Sequence, residues 1–175
     1  MSKVLRRPDE SSTGNPSGLA INGNDMWAIL SGPSAPILFH YSLSDAFSGS
    51  GNITSDWQID AHLDNDRPIG LAIDEDYLYV VDETDKQIYR YSYDNDLQYG
   101  EAAGRSGELL DMYDAAIGLP SGAMFDDEMN WIWVVDRGTD TIYGYPRDGL
   151  FNDDNPVSAS DQFPLVSEND DPTGL

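Results

Sequence analysis

One short pattern recurs along the chain at a fixed interval. A proline, any residue, a glycine and an apolar residue occur together at positions 16–19, 68–71, 120–123 and 172–175. Each copy begins 52 residues after the previous one, which four unrelated matches would not do by chance. A fixed period of this length indicates one supersecondary unit that is stacked repeatedly. The sequence therefore predicts tandem repeats of a single small unit.

Every repeat contains three clear apolar runs and a weaker fourth one. The runs are bounded by Asp, Asn and Gly residues, which favour turns, and no segment keeps a helical period with caps. The predicted first strands are 19–22, 71–74 and 123–126, and the second strands are 26–30, 78–82 and 132–136. The third strands are 38–41, 88–91 and 142–145, and the weaker fourth strands are 57–60, 107–111 and 163–166.

Four strands in each repeat of about 50 residues are typical of a β-propeller blade. We therefore predict an all-β protein of three tandem 52-residue repeats, each a four-stranded antiparallel sheet whose strands are named A to D. The blades span approximately 16–67, 68–119 and 120–171. Residues 1–15 form a lead-in that resembles a D strand at 4–7, and residues 172–175 begin a fourth repeat.

The repeat resembles the NHL-type propellers and the wider group of six-bladed propellers. The second blade carries the resemblance, with Pro-Ile-Gly-Leu-Ala-Ile-Asp at 68–74, Leu-Tyr-Val-Val-Asp at 78–82 and Gln-Ile-Tyr-Arg-Tyr at 87–91. The first blade departs from it, because Leu30 stands where the second strand of this repeat ends in aspartate. The resemblance implies a fold and not a function, since propellers serve many functions.

The repeated residues have structural roles in this interpretation. Each proline fixes φ at the entry to the innermost strand, and the glycine after the next residue allows close approach of backbones. Asp82 and Asp136 end their second strands, and we expect their carboxylates to accept backbone N–H groups of the next loop. The aromatic residues of the second and third strands are expected to pack between blades: Trp27, Tyr79, Tyr89, Tyr91, Trp133, Tyr143 and Tyr145.

Three blades are too few for a ring, because closed propellers have about 4–8 blades. An open ring would leave apolar blade faces and free strand edges that pair with other chains. Two solutions remain open at this point. Two copies of the chain form a homodimer that closes a six-bladed ring, or the ring is completed by further blades of a longer chain.

The charge of the chain excludes some partners. Its net charge is −23, and 25 of its 32 acidic residues are aspartates. Such a chain repels phosphate backbones and anionic membranes, so we expect neither nucleic acid nor membrane as a partner. Turn formation, adaptation to high salt and calcium binding each explain the aspartates. Cysteine is absent, which excludes disulfides and thiolate metal sites.

The loops between strands D and A and between strands B and C share one face of a propeller. By analogy with other propellers, this loop face is the predicted binding surface for a cation, a sugar or a basic peptide, and a merely solvated face is the alternative. Its predicted residues are Asn15, Asp66, Arg67, Asp82, Glu83, Asp136, Arg137 and Asp171.

No catalytic pattern is found in the sequence. The two histidines, His40 and His62, are interpreted as solvated, and neither a serine-nucleophile elbow nor a zinc-ligand spacing occurs. No cofactor is expected, and calcium is the one metal that the aspartates leave open. We expect a non-enzymatic binding scaffold for a protein or carbohydrate, secreted or at the cell surface. The alternatives are a calcium-dependent hydrolase or lactonase, and a half-propeller whose role is closure of an oligomer.

Overall fold

The computed structural model describes residues 5–6, 14–31, 36–44, 53–55, 57–60, 65–92, 108–111, 117–148, 157–166 and 172. The strands in chain order are β1 Leu5–Arg6, β2 Asn15–Asn22, β3 Asp25–Ser31, β4 Ile37–Ser42, β5 Ile53–Thr54, β6 Trp57–Asp60, β7 Pro68–Ile73, β8 Tyr77–Asp82, β9 Gln87–Ser92, β10 Glu108–Asp111, β11 Pro120–Asp126, β12 Trp131–Asp136, β13 Thr141–Pro146 and β14 Asp161–Pro164.

Twelve of these strands form three antiparallel sheets of four strands each. The orders are β2-β3-β4-β6, β7-β8-β9-β10 and β11-β12-β13-β14, so each sheet is a simple meander. The predicted all-β class with four-stranded antiparallel sheets is therefore confirmed, and we call these sheets blades 1, 2 and 3. In the described ranges, no helix is long and apolar enough to cross a membrane.

Several strands differ from their predicted bounds. The innermost strands begin earlier than predicted, at Asn15, Pro68 and Pro120. Strand β14 ends at Pro164 and not at Val166, because the next N–H, that of Leu165, donates to the Asp140 carbonyl in the loop between β12 and β13. In the lead-in, β1 pairs in parallel with β5 as a separate two-stranded sheet.

The Pro-x-Gly pattern encodes a β-bulge at the start of each innermost strand. In blade 2, Pro68 pairs with Asp82 and Gly70 pairs with the adjacent Val81, so Ile69 between them has no partner in the register. The same shift separates proline from glycine in β2 and in β11. A bulge adds one residue and bends the strand locally. The pattern therefore determines the direction in which the chain enters each blade. From the sequence alone, the proline predicted only a fixed φ at this entry.

The three innermost strands β2, β7 and β11 lie side by side. Gly18 and Gly70 of the pattern face the innermost strand of the next blade. A Cβ atom added at Gly18 would lie 3.1 Å from the Leu71 nitrogen, and one added at Gly70 would lie 2.9 Å from the Ala123 nitrogen. The separation at Gly70 is shorter than real Cβ contacts, and the one at Gly18 is tighter than most of them. The expected close approach of backbones is confirmed at both positions, because a side chain at either glycine would push the neighbouring strand away.

The hydrophobic core lies between the blades. Successive side chains along a strand point to opposite faces of the sheet, so every blade has two faces. We name the face on the side of the preceding blade the front face, and the face on the side of the following blade the rear face. The rear face of blade 1 packs on the front face of blade 2 through Ala20, Trp27, Ile29, Leu38, Leu71, Leu78, Val80, Tyr89 and Tyr91. The rear face of blade 2 packs on blade 3 through Ala72, Tyr79, Val81, Ile88, Ala123, Ile132, Val134, Tyr143 and Tyr145.

Candidate binding face

The Asp136 carboxylate joins two loops of the predicted binding face. Its Oδ2 accepts the N–H groups of Gly118 and Leu119 at 2.8 and 2.9 Å, in the loop that leads into blade 3. Its Oδ1 accepts the N–H groups of Gly138 and Thr139, both at 2.8 Å, in the loop between β12 and β13. The side chain is fully buried. The predicted role in its own loop is confirmed, and the bond to the preceding loop is a second role.

Asp82 repeats this arrangement in blade 2. Its Oδ1 accepts the N–H groups of Thr84 and Asp85 at 2.7 and 2.9 Å. Its Oδ2 accepts the N–H of Arg67 at 2.8 Å, in the loop that leads into blade 2. Two buried carboxylates therefore hold the D–A and B–C loops together, and their oxygens are already occupied by N–H donors.

Blade 1 lacks this tie. Leu30 pairs with Pro16 at the position that aspartate holds in the other two blades. Within the described part of blade 1, the Ser31 hydroxyl donates to the Asn15 carbonyl at 3.4 Å. The described carboxylate ties are therefore those of blades 2 and 3.

An ion-pair cluster connects these two blades. Glu83 is buried, and its two carboxylate oxygens lie 2.7 Å from Nε of Arg67 and 2.5 Å from Nη2 of Arg137. Arg137 is partly exposed, while Arg67 is exposed over 61% of its side chain. Glu83 and Arg137 each follow the loop-tying aspartate of their blade. The same position of the repeat therefore carries opposite charges in adjacent blades, and these two side chains form an ion pair.

The structure brings together only some of the predicted binding residues. Arg67, Glu83 and Arg137 form the cluster, and Asp82 and Asp136 lie buried beneath it as loop ties. Asn15 and Asp66 are exposed, and Asp171 lies outside the described residues. The sequence contained no sign that the glutamate of one blade would pair with the arginine of the next.

Lys86 is a residue of this face that sequence reasoning missed. Its Nζ donates to the Ile117 carbonyl at 2.8 Å, which connects the B–C loop of blade 2 to the loop that leads into blade 3. Its backbone has a positive φ of 58°, in the turn before β9. A lysine in a strongly acidic chain was the only available signal.

A second polar cluster lies on the other side of the blades, away from the predicted binding face. Arg147 Nε lies 2.9 Å from the Tyr79 hydroxyl and 2.9 Å from Oδ2 of Asp74. The Tyr79 hydroxyl donates to the same Asp74 oxygen at 2.5 Å. Burial, together with the adjacent Asp74 carboxylate, raises the pKa of Tyr79 well above its ordinary value. This cluster ties blade 3 to blade 2.

The prediction that His40 is solvated is wrong. The ring is buried and tilted against Trp27, with 5.0 Å between the two ring centroids. Its Nε2 lies 2.8 Å from Oδ1 of Asp25. His40 lies opposite Trp27 in the register of β3 and β4. It therefore shares the rear face of blade 1 with Trp27, which belongs to the core. His62 lies outside the described residues.

Within the described ranges, no three His, Asp or Glu side chains are grouped so that they could hold a metal ion. Two Asp-Asn-Asp runs, at 64–66 and 94–96, are among the aspartates that leave calcium open, and they lie largely outside those ranges.

The arrangement of strands resembles solved β-propellers. No protein-family model matches the chain, and no curated protein matches it. Glutaminyl cyclase from Myxococcus xanthus superimposes with a TM-score of 0.55 at 14% identity, over 90% of this chain and 54% of that one. A luciferin-regenerating enzyme superimposes with a TM-score of 0.56 at 17% identity, over 86% of this chain and 45% of that one. The WD40 domain of Toxoplasma gondii coronin superimposes with a TM-score of 0.52 at 13% identity, over 78% of this chain and 33% of that one.

These similarities define the class of fold. The chain has a β-propeller architecture, and it spans about half the length or less of the solved chains it matches. Identities of 13–17% show the fold and carry no activity with them. The NHL subtype, the secreted or cell-surface location and the role of calcium stay predictions.

Proposed function

We propose that the chain is a non-enzymatic β-propeller scaffold that binds a protein partner on the D–A and B–C loop face. The observation that carries this proposal is the Arg67–Glu83–Arg137 cluster. It lies above loops that Asp82 and Asp136 hold in place. A surface prepared in this way loses little conformational entropy when it binds.

The chemistry of the cluster favours an anionic group of the ligand. The Asp82, Glu83 and Asp136 carboxylates already accept N–H groups or guanidinium groups, so a cation would have to displace them. The exposed groups are those of Arg67 and, in part, Arg137. Two guanidinium groups around one carboxylate leave one positive charge, and a guanidinium matches a carboxylate in a bidentate geometry. We therefore propose a partner that presents a carboxylate, such as an acidic segment of a protein.

The net charge of −23 opposes such a partner at long range. The test should therefore use about 0.15 M salt, where charges beyond about 8 Å are screened. A pentaglutamate peptide is titrated into the ¹⁵N-labelled chain, with pentalysine and a neutral pentasaccharide as comparison probes. We expect pentaglutamate to shift the backbone N–H signals of Thr84, Asp85, Gly138 and Thr139.

Two variants locate the effect. Arg137→Lys keeps the charge but loses bidentate geometry, so it should weaken the response to pentaglutamate. Arg90→Ala is the control, because Arg90 lies over the Tyr77 ring, away from the cluster. Shifts caused by pentalysine alone, or by the sugar alone, would show that the proposed ligand chemistry is wrong. No shift with any probe would argue against a recognition face at this place.

A further inference from the structure

Among the residues that the structure describes, apolar side chains of the innermost strands are exposed on one front face and one rear face. Leu71, on the front face of blade 2, is 3% exposed, whereas Leu19 at the same repeat position in blade 1 is 56% exposed. On the rear faces, Ala72 of blade 2 is 3% exposed and Met124 of blade 3 is 41% exposed. In both comparisons, the innermost-strand position is buried where a described blade covers it and exposed where none does. Farther from the innermost strands, Met26, Phe39 and Tyr41 on the front face of blade 1 and Trp133 on the rear face of blade 3 are already buried.

Both uncovered faces are apolar, as an interface between blades is. The front face of blade 1 forms a groove of about 550 Å³, lined by residues that include Leu19, Ala28, Leu30, Phe39 and Tyr41. The rear face of blade 3 carries Met124, Trp133 and Phe163, with the last two rings 5.3 Å apart. Of these side chains, Leu19, Met124 and Phe163 are exposed, and exposed large apolar side chains mark an interaction surface.

The two uncovered faces are the two halves of an interface that this chain already forms twice. Blade 1 packs on blade 2, and blade 2 packs on blade 3, each time with a rear face against a front face. Met26, Phe39 and Tyr41 on the front face of blade 1, although buried, occupy the repeat positions of Leu78, Tyr89 and Tyr91 in blade 2. The front face of blade 1 therefore presents apolar residues at the same repeat positions as a front face that a rear face covers.

We infer that a second copy of this chain covers both faces, with each rear face of blade 3 on the front face of blade 1 of the other copy. Two such contacts are related by a two-fold axis and give a ring of six blades, which lies within the range of closed propellers. This inference does not depend on the proposed binding face.

A further blade of the same polypeptide is the competing occupant. Pro172 stands 52 residues after Pro120, and its carbonyl accepts the Ser121 hydroxyl at 2.6 Å. It therefore borders blade 3 where the first strand of a following blade would begin. The test must separate this occupant from a second copy.

The first measurement is the solution mass by light scattering on a sizing column. We expect a dimer of twice 19.3 kDa, whereas a monomer at all accessible concentrations would overturn the inference. Leu19→Asp and Met124→Lys should each raise the dimer dissociation constant at least about tenfold, because each places a charge in both apolar interfaces. Met129→Asp is the matched control. Met129 is 49% exposed in the turn between β11 and β12, outside the rear face, and its substitution should leave the mass unchanged.

Mixing the two variants gives the sharper test. In a mixed ring, one interface joins an unchanged Met124 to an unchanged Leu19, and the other joins the introduced aspartate to the introduced lysine. Equimolar Leu19→Asp and Met124→Lys chains should therefore regain the dimer that neither forms alone. Circular dichroism checks that both variants keep their sheets. A dimer that survives both substitutions, or that only one substitution breaks and mixing does not restore, would overturn this mode of closure.

Discussion

Replacement of Asp136 by asparagine tests whether the carboxylate tie holds blade 3 together. Asparagine has almost the same shape, but one of its two acceptors becomes an NH₂ donor. If the NH₂ group takes the Oδ2 position, it faces the N–H groups of Gly118 and Leu119. If it takes the Oδ1 position, it faces those of Gly138 and Thr139. Two hydrogen bonds are lost in either orientation.

The magnitude follows from this count. A hydrogen bond to a charged group contributes about 1.5–3 kcal/mol, and a donor left buried without a partner adds to the cost. Asp136→Asn should therefore lower the free energy of unfolding by about 3–6 kcal/mol. In blade 2, asparagine at position 82 can place its NH₂ group toward the single N–H of Arg67 and lose one bond. Asp82→Asn should cost about 1.5–3 kcal/mol, roughly half as much.

Urea denaturation followed by tryptophan fluorescence measures both values. Protein concentration must be the same in every experiment, because self-association makes apparent stability concentration-dependent. Asp140→Asn is the control. It makes the same change of charge in the same loop, at a residue with φ of 49° that asparagine also adopts readily. If Asp136→Asn costs no more than Asp140→Asn, the N–H groups do not depend on the carboxylate and the reasoning fails.

Three further predictions test the contacts between blades. Glu83→Gln leaves Arg67 and Arg137 without their shared anion and should lower stability by about 1–3 kcal/mol in denaturant titrations; an effect no larger than that of Glu128→Gln in an exposed turn would contradict it. Gly70→Ala places a Cβ 2.9 Å from the Ala123 nitrogen and should cost about 1–3 kcal/mol by forcing blades 2 and 3 apart, whereas Gly23→Asn, in open space at a φ of 58°, should be nearly neutral by thermal melting. Because its pKa is raised, Tyr79 contributes its full stability below about pH 10, the pKa of an unfolded tyrosine, and this contribution is lost as the pH rises further. The difference in the free energy of unfolding between wild type and Tyr79→Phe should therefore narrow in urea titrations above about pH 10. A constant difference would refute the assignment.

The fold was largely predictable because each repeat determines its strands through residues that are close together in the sequence. A proline, a glycine two residues later and an apolar run determine one bulge and one strand, and the same signal returns at each period. The described second and third strands follow the predicted positions for that reason, whereas the first strands begin earlier than predicted, at the proline of the pattern or next to it. In blade 3, the end of the fourth strand at Pro164 is set by the bond from Leu165 to Asp140.

The binding face was less predictable, because its chemistry lies between repeats. The sequence placed Glu83 and Arg137 in two separate loops, and no local pattern indicates that blades bring them together. The burial of His40 was hard to predict for the same reason. Alternation along β4 gives it a definite side of the sheet, but only the packing of blade 1 on blade 2 decides that this side is covered.

Blade 1 shows how the tie and the interface are related. In blades 2 and 3, the last residue of the second strand is an aspartate that uses its carboxylate to hold the incoming loop. In blade 1, the residue opposite the proline of the pattern is Leu30, which instead lines the apolar groove beside Phe39. Asp82 and Asp136 are fully buried at this position because loop N–H groups satisfy their carboxylates. The leucine in blade 1 removes such a tie and adds apolar surface to the groove. This exchange agrees with the interface that we propose at blade 1, where apolar surface gains free energy when a second blade covers it.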